Sequence, residues 1–589
     1  MHPIPKKWKV ASPDYHLQKL LTKEINLSPI TAQLLINRGI KNPVDAASFI
    51  TPALKDLHDP FLMKGMDKAV KRIVQSLTDK EKIYIYGDYD VDGTSAAALL
   101  YLFLKEIGAD VSAYIPERIG QGYGLKKDVI KRLHDEGTSL IITTDCGISN
   151  ASEVMYASEL GIDMIVTDHH EVPEEPPQAV AVINPKQNDC PFPFKALAGV
   201  GVAFNLVIAV RSVLRDEGLL KEEDVPNLRR YLDLVALGTL ADVVPLVDAN
   251  RIIAAYGLEE IGRGLRPGIR ALKEVSALNG YLKSWSVVFQ LVPRLNAAGR
   301  LGDSSLAFKL LTAESFGEAL SIAKTLDKMN IERKDMVTQM LQDALQKIEK
   351  AADSQTRKVL VLSSTEWHPG IIGIVASRLV EIFCKPVVLI AIKDGMGRGS
   401  ARSVEGISVL DLLRECDVFF EAYGGHNQAA GFTIKEDEVK GFSEAMNEIS
   451  AREIRDEDLI QEMSLDGMID LHELSEEVVT EIERLAPFGP ANPEPLLGLA
   501  DTRITQSRIV GNNHLKMTLK QKNSVGNAIG FNLADSFQDL LAGARKDTRH
   551  NSLSQQLSCR KFDVAFTPFL DQWNGKNNVK LKIKDIKNI

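Results

Sequence analysis

The run Lys82–Ile107, KIYIYGDYDVDGTSAAALLYLFLKEI, decides how the chain is to be read. KIYIYG (Lys82–Gly87) is rich in β-branched and aromatic residues and reads as a short strand, whereas Thr94–Ile107 is built of helix formers. Between them GDYDVDG places Asp88, Asp90 and Asp92 at alternate positions just past a strand, where three carboxylates can converge on a hard cation. An EF-hand loop also begins Asp-x-Asp-x-Asp-Gly. With Asp88 as its first position, however, the twelfth is Leu99 where an EF-hand needs Glu, and a strand precedes the loop. Taken alone, the motif is equally an acidic turn that caps the following helix.

Working outward, VSAYIP (Val111–Pro116), SLIITT (Ser139–Thr144), DMIVTD (Asp163–Asp168) and AVAVIN (Ala179–Asn184) read as further strands. They alternate with helical stretches at Lys126–Glu136 and Ala151–Leu160. That alternation predicts a parallel sheet with helices on both faces, whose ligands gather beyond the carboxyl ends of the strands. Thr144-Asp145-Cys146-Gly147 and Asp168-His169-His170 both fall at strand ends, and TLAD (Thr239–Asp242) follows another apolar run, read as one more strand end. A mixed set of carboxylates and imidazoles fits Mn²⁺ or Mg²⁺, and the inventory is large enough for two ions. Two such ions suit in-line attack on phosphorus, so phosphoester hydrolysis is the expected reaction.

The rest of the chain is organised around this half. With 589 residues it exceeds one hydrophobic core, and 44% apolar with 25% charged residues is ordinary globular composition. Residues 1–75 read as a mostly helical opening. Ala307–Lys350 reads as a long connecting helix, and a second α/β pattern begins at KVLVLS (Lys358–Ser363) and runs to about Ile454. After the proline-rich LAPFGPANPEP (Leu485–Pro495), short alternating strands such as HLKMTL and VKLKIKDI predict a small β-barrel, interrupted by a polar excursion at residues 541–558. The expected divisions are 1–75, 76–300, 301–354, 355–455 and 456–589.

Charge and cysteines bound the partners and the compartment. Net charge is −9, yet Leu541–Ile589 holds ten Lys or Arg against four Asp, a local +6, so a nucleic-acid footprint should be regional. The five cysteines (146, 190, 384, 416 and 559) show neither zinc-ligand nor redox-motif spacing, and their odd number fits reduced thiols in the cytoplasm. MHPIPKKWKV has no apolar run behind its lysines, and no stretch approaches a membrane span, so neither a secretory leader nor a membrane is expected.

GDYDVDG, TDCG, TDHH and LGTLADVVPL, in this order, resemble the four acidic motifs of the DHH phosphoesterase superfamily. RLNAAGR (Arg294–Arg300), WHPGIIGIVASRL (Trp367–Leu379), GRGSARS (Gly397–Ser403) and GGHNQAAG (Gly424–Gly431) narrow the resemblance to its family of single-strand-specific 5′→3′ exodeoxyribonucleases, over roughly residues 45–589. The resemblance implies an α/β protein: a DHH parallel-sheet domain and a DHH-associated domain joined by a long helix, followed by an OB-fold barrel. It implies Asp90, Asp92, Asp145, His169 and Asp242 as ligands of two Mn²⁺ or Mg²⁺ ions, with Asp145 bridging and Asp88 a ligand or a supporting neighbour. His170 would face the scissile phosphate, and Asp168 would orient its neighbours. Many superfamily members carry a His four residues before Asp90, where this chain has Tyr86. Ser400 and Arg402, with Arg294, Asn296, Arg300 and His426, would hold phosphate in the gripping domain. In the barrel, Phe531, Phe569 and Trp573 would stack on bases while Phe566 is a further aromatic candidate. The family also implies single-stranded DNA as substrate, roles in recombination and mismatch repair, a single-strand-binding protein and a RecQ-type helicase as partners, and a monomer. The alternatives are a DHH enzyme acting on short oligonucleotides, cyclic dinucleotides or pyrophosphate, and a non-catalytic DHH scaffold.

Overall fold

A computed structural model describes residues 6–117, 124–280, 282–351, 356–535, 537, 560–573 and 576–588. The chain divides into two compact units, one of Met1–Leu57, Pro245–Ala255 and Gln461–Ile589, the other of His58–Val244 and Tyr256–Ile460.

The second unit contains the expected parallel sheet. Its strands lie in the order Asp110–Tyr114, Lys82–Gly87, Thr138–Thr144, Asp163–Thr167 and Ala181–Ile183, every pair parallel. The register aligns the carboxyl ends: Gly87 opposes Thr144, Thr144 opposes Thr167, and Thr167 opposes Ile183. Asp88, Asp145, Asp168 and Asn184 are therefore the next residues along four adjacent strands. Ile83, Ile85, Ile141, Ile142, Ile165 and Val166 are sealed from water, as strands covered on both faces require.

The structure departs from the sequence expectation at Asp242. The apolar run before Asp242 is a helix, Leu232–Ala241, and Asp242 is its C-cap. Leu232 through Leu240 are all buried, so the run shows neither period 2 nor period 3.6 and could not be told from a core strand by pattern.

The same unit holds a second sheet in the order Phe420–His426, Ala429–Lys435, Met396–Arg402, Val387–Lys393 and Leu360–Ser364, in which only the last pair is parallel. Between the sheets in sequence runs the helix Phe316–Lys350, 35 residues long. It starts later than the sequence suggests, because Ser315 accepts a hydrogen bond from the Glu318 amide and caps it, leaving Ser305–Thr312 as a separate helix.

In the first unit, Leu497–Val510, His514–Gln521, Ser524–Gly530, Lys576–Asn588 and Phe562–Trp573 pair in that order, and the last returns to the first to close a five-stranded barrel. Leu21, Leu34 and Leu35 of the opening helices share one apolar core with Phe562 and Phe566 of the barrel. The opening segment also carries a strand, Lys7–Val10, parallel to Glu462–Leu465, a pairing no local pattern announces. The polar excursion at 541–558 lies outside the described residues. No described helix is long and apolar enough to cross a membrane.

Candidate metal centre

Asp90 begins the site as a cap. One of its carboxylate oxygens accepts from the amides of Asp92 and Gly93, at 2.9 and 3.1 Å, and so starts the helix Val91–Glu106. The cap and the convergent carboxylate are thus one residue, not competing readings. Asp92 is buried, and its two oxygens accept from Gly199 N (2.6 Å) and Val200 N (2.9 Å) at the start of the helix Gly199–Asp216. That positive helix end steadies a carboxylate in a place where water cannot. Gly199 is needed for the approach, since a Cβ there would lie 2.7 Å from Asp145.

Asp145 adopts φ 61°, in the left-handed region that few residues other than Gly, Asn and Asp enter, and Gly147 follows at φ 110°. The reversal turns the Asp145 carboxylate toward His169, whose Nε2 lies 3.1 Å from Asp145, 3.6 Å from Asp242 and 3.9 Å from Asp92. The three carboxylates come from a helix start, a strand end and a helix end. His169 Nε2 and Asp242 Oδ2 are buried and make no hydrogen bond among the described residues. Buried acceptors facing acceptors are costly unless a cation sits among them, so the donor set fits a metal. Three overlapping groups have that geometry: Asp88–Asp90–Asp145, Asp92–His169–Asp242 and Asp145–His169–His170.

The protonation equilibria carry the same message. Burial, then repulsion from Asp242, pushes the Asp92 carboxyl up to about 7. Burial, then Asp90, does the same for Asp242, to about 7. Asp145 is also pushed well up by burial and by Asp92. Burial lowers the pKa of His169, keeping its imidazole neutral as a ligand must be. Asp168 differs from its neighbours. One oxygen accepts from the His169 and His170 amides and from His170 Nδ1 at 2.7 Å, and the other from Ile148 N. Burial raises its pKa, but these donors outweigh burial and hold it low. In return, although burial disfavours the His170 imidazolium, the Asp168 bond raises its pKa.

Tyr86 does not stand in for an imidazole. It is sealed in an apolar cluster with Val129, Ile141 and Val166, edge-on to Tyr114, and its hydroxyl reaches the Gly124 carbonyl.

In the second sheet, alternation along Met396–Arg402 turns Ala401 into the core and leaves Ser400 and Arg402 together on the other side. Arg402 donates to Ser400 Oγ at 3.0 Å. Both press on the first turn of the helix Ile372–Phe383, where a Cβ on Gly373 would meet Arg402 at 2.7 Å and Ser400 Oγ at 3.0 Å. A hydroxyl, a guanidinium and a helix start converge there.

Three regions match known families: residues 82–239 the DHH family, N-terminal domain, residues 356–452 the DHHA1 domain, and residues 465–585 the RecJ OB domain. The chain is 37% identical over 584 residues to the single-stranded-DNA-specific exonuclease RecJ of Bacillus subtilis, covering 98% of this chain and 70% of that protein. Against the Escherichia coli protein of the same name, identity is 39%, with 84% and 87% covered. The chain belongs to the RecJ family. The crystal structure of RecJ in complex with Mn²⁺ from Thermus thermophilus has the same fold, with a TM-score of 0.80 at 30% identity over 99% of this chain and 79% of that one.

The remaining expected residues of this RecJ-family chain are variously placed. Arg294 is engaged by Asp327 (2.8 Å) and the Gln290 carbonyl, which braces its helix against Phe316–Lys350. Arg300 donates to the Gly370 carbonyl at 3.0 Å, and Asn296 is half-buried. His426 is exposed at the end of the edge strand Phe420–His426. In the barrel, Phe531 is 49% exposed beside His514, Phe569 is half-buried, and Phe566 belongs to the core. The Trp573 side chain lies outside the described residues. Asn184 and Lys186, by contrast, escaped the sequence reading. The available signal was positional: Asn184 follows the neighbouring strand Ala181–Ile183, in the same row as Asp88, Asp145 and Asp168.

Proposed function

We propose that this chain is a single-stranded-DNA-specific 5′→3′ exonuclease that hydrolyses phosphodiesters with two divalent ions, Mn²⁺ or Mg²⁺, and releases 5′-mononucleotides in DNA recombination and repair. The observation that carries the reading is His169 Nε2 lying within 3.1–3.9 Å of three carboxylates from three different elements. Asp90, Asp92, Asp145, His169 and Asp242 would hold the ions, with Asp88 beside them and Asp145 shared, since it belongs to two of the three groups. When bound, the ions supply positive charge that acidifies an attacking water and offsets the negative charge developing on the phosphate and leaving oxygens.

The chain's own residues do the rest. Asp168 holds His170 in one orientation and favours its protonated form, so His170 presents a proton to the phosphate or its leaving oxygen. Ser400, Arg402 and the first turn of Ile372–Phe383 hold the terminal 5′ phosphate, with Arg300, Asn296 and His426 along the strand's path. Arg294 acts by bracing. Phe531, with Phe569 and Trp573, stacks on bases, and the basic end of the sequence makes binding sensitive to salt. Residues 76–300 form the catalytic domain, with 1–75 the opening segment, 301–354 the connection, 355–455 the grip, and 456–589 the barrel. A single-strand-binding protein and a RecQ-type helicase are the proposed partners of a cytoplasmic monomer.

The test is a gel of 5′- and 3′-labelled single strands with a blunt duplex control, in Mn²⁺ and in Mg²⁺. The reading expects early release of the 5′ label as mononucleotide, with the duplex spared and Asp145→Ala silent. Cleavage of dinucleotides or pyrophosphate with long DNA intact overturns it, as does a wild type that cuts nothing.

A further inference from the structure

The acidic cluster explains how cations are gathered but leaves a question of charge. A phosphodiester approaching five carboxylates needs positive charge on its outer oxygens as well as on the side of the ions. The strand Ala181–Ile183 supplies a residue placed for this. Its end is in register with the strand ends that carry Asp145 and Asp168. The next residue, Asn184, is fully buried, and its side chain joins two loops: its amide donates to the His170 carbonyl at 2.9 Å, and its carbonyl accepts from the Lys186 amide at 2.8 Å. The backbone of Lys186 is thereby tied to that of His170. The Lys186 ammonium pairs with Glu171 at 2.8 Å, and Glu171 is itself the residue after His170.

We infer that Lys186 is a phosphate-contacting residue of this reaction, resting on Glu171 and moving to an outer oxygen of the scissile phosphate when the strand is bound, with Asn184 as its positioning residue. This rests on the exonuclease reading. Three observations support it. The Lys186 side chain is 30% exposed whereas that of Glu171 is 77% exposed, so the resting pair is a surface pair, weak and easily exchanged for a phosphate in a drier place. The ammonium is held against Glu171, two residues beyond His169 in the same loop, which places it beside the histidines of the cluster. Finally, Asn184 spends its amide and its carbonyl on backbone of these two loops, as a part that holds Lys186 to His170 should.

The experiment uses the full chain with 5′-phosphorylated single-stranded DNA in Mn²⁺, comparing wild type, Lys186→Met, Lys186→Arg and Glu171→Gln. The expected result is a kcat about 100-fold lower for Lys186→Met with KM within a few-fold, and recovery of most of it in Lys186→Arg, because one cationic contact of the transition state is lost and restored. A second readout does not depend on turnover. Binding of a hydrolysis-resistant phosphorothioate strand, measured against salt, should lose about 0.7 from the slope of log K on log salt in Lys186→Met, the share of one phosphate contact. Glu171→Gln should bind that strand a few-fold more tightly by releasing the ammonium, which keeps the inference testable if Lys186→Met does not fold. Unchanged kcat and slope in Lys186→Met beside an active wild type overturn the inference and leave the exonuclease reading standing. So does a loss that Lys186→Arg fails to recover. A wild type that cuts no single strand overturns the exonuclease reading itself.

Discussion

Asp145 and Arg251 are each only 2% exposed, and both are ionisable, yet their surroundings are opposite. Around Asp145 the near charges are of its own sign, Asp92, Asp90, Asp88 and Asp168 all repelling it, with His169 Nε2 3.1 Å away. Around Arg251 four carbonyls complete it, against the repulsion of Arg38. Its guanidinium donates to the carbonyls of Phe49, Leu485, Arg484 and Ala486 and lies 3.8 Å from the centre of the Phe49 ring. Burial lowers its pKa only to about 10, so it stays charged, and it pins the proline-rich turn after Arg484 to the opening helices. The difference separates two uses of a buried charge. One that is fully satisfied belongs to the fold, and one set against its own kind belongs to a ligand.

Asp145→Asn puts this distinction under the greatest strain. We expect hydrolysis of single strands to fall about 10³-fold or more in single-turnover assays, because a shared ligand is lost. The metal-free protein should meanwhile be as stable as wild type or more so, since repulsion is relieved. A clear drop in the unfolding midpoint would contradict the assignment of Asp145 to a ligand rather than to the fold. The mirror experiment is Arg251→Met, which keeps much of the volume and removes the donors. Denaturant unfolding should show a loss of about 3–5 kcal/mol as four carbonyls lose the donor that gathers them, Leu485 keeping a bond from Asn492. Mn²⁺ affinity should be unmoved.

A third prediction uses pH. Asp92 and Asp242 hold their protons up to about 7 in the folded chain, against an ordinary value of 3.8. These groups are raised, so the stability they contribute is present at low pH and is lost as pH rises from about 4 through 7. Calorimetry of the metal-free protein should show Asp242→Asn removing part of this slope, a difference of about 2 kcal/mol at pH 8 in favour of the variant. Added Mn²⁺ should stabilise wild type most at pH 8 and progressively less below pH 7, as protons compete for the same oxygens. Tyr86→Phe should change least. The hydroxyl bond to Gly124 is 3.4 Å long, so stability should fall by less than about 1 kcal/mol and metal affinity should not change. A lost ion would show that Tyr86 serves the cluster after all.

These residues also show how far the sequence could be read. Asp88, Asp90, Asp92, Asp145 and the Asp168-His169-His170 run were legible because each sits where a short apolar strand stops, and strand ends of a parallel sheet meet in space. Asp242 was legible as a residue but not in its setting, because a helix buried all round has no periodicity to betray it. Arg294 was read as a phosphate ligand from its motif, and only its contact with Asp327 shows that it is engaged elsewhere. Lys186 was invisible, since nothing local distinguishes NPK from any loop.

The parallel sheet, the second α/β pattern, the barrel and the chemical type of the site could be read from the residues alone, because propensity, period and strand-end chemistry are local properties. Which oxygens face one another could not. Nor could the left-handed backbone that brings Asp145 to His169, the tie that Asn184 makes between Lys186 and the histidine loop, or the pairing of Lys7–Val10 with Glu462–Leu465. These depend on register between strands and on contacts between residues far apart in the chain, which local sequence patterns do not encode.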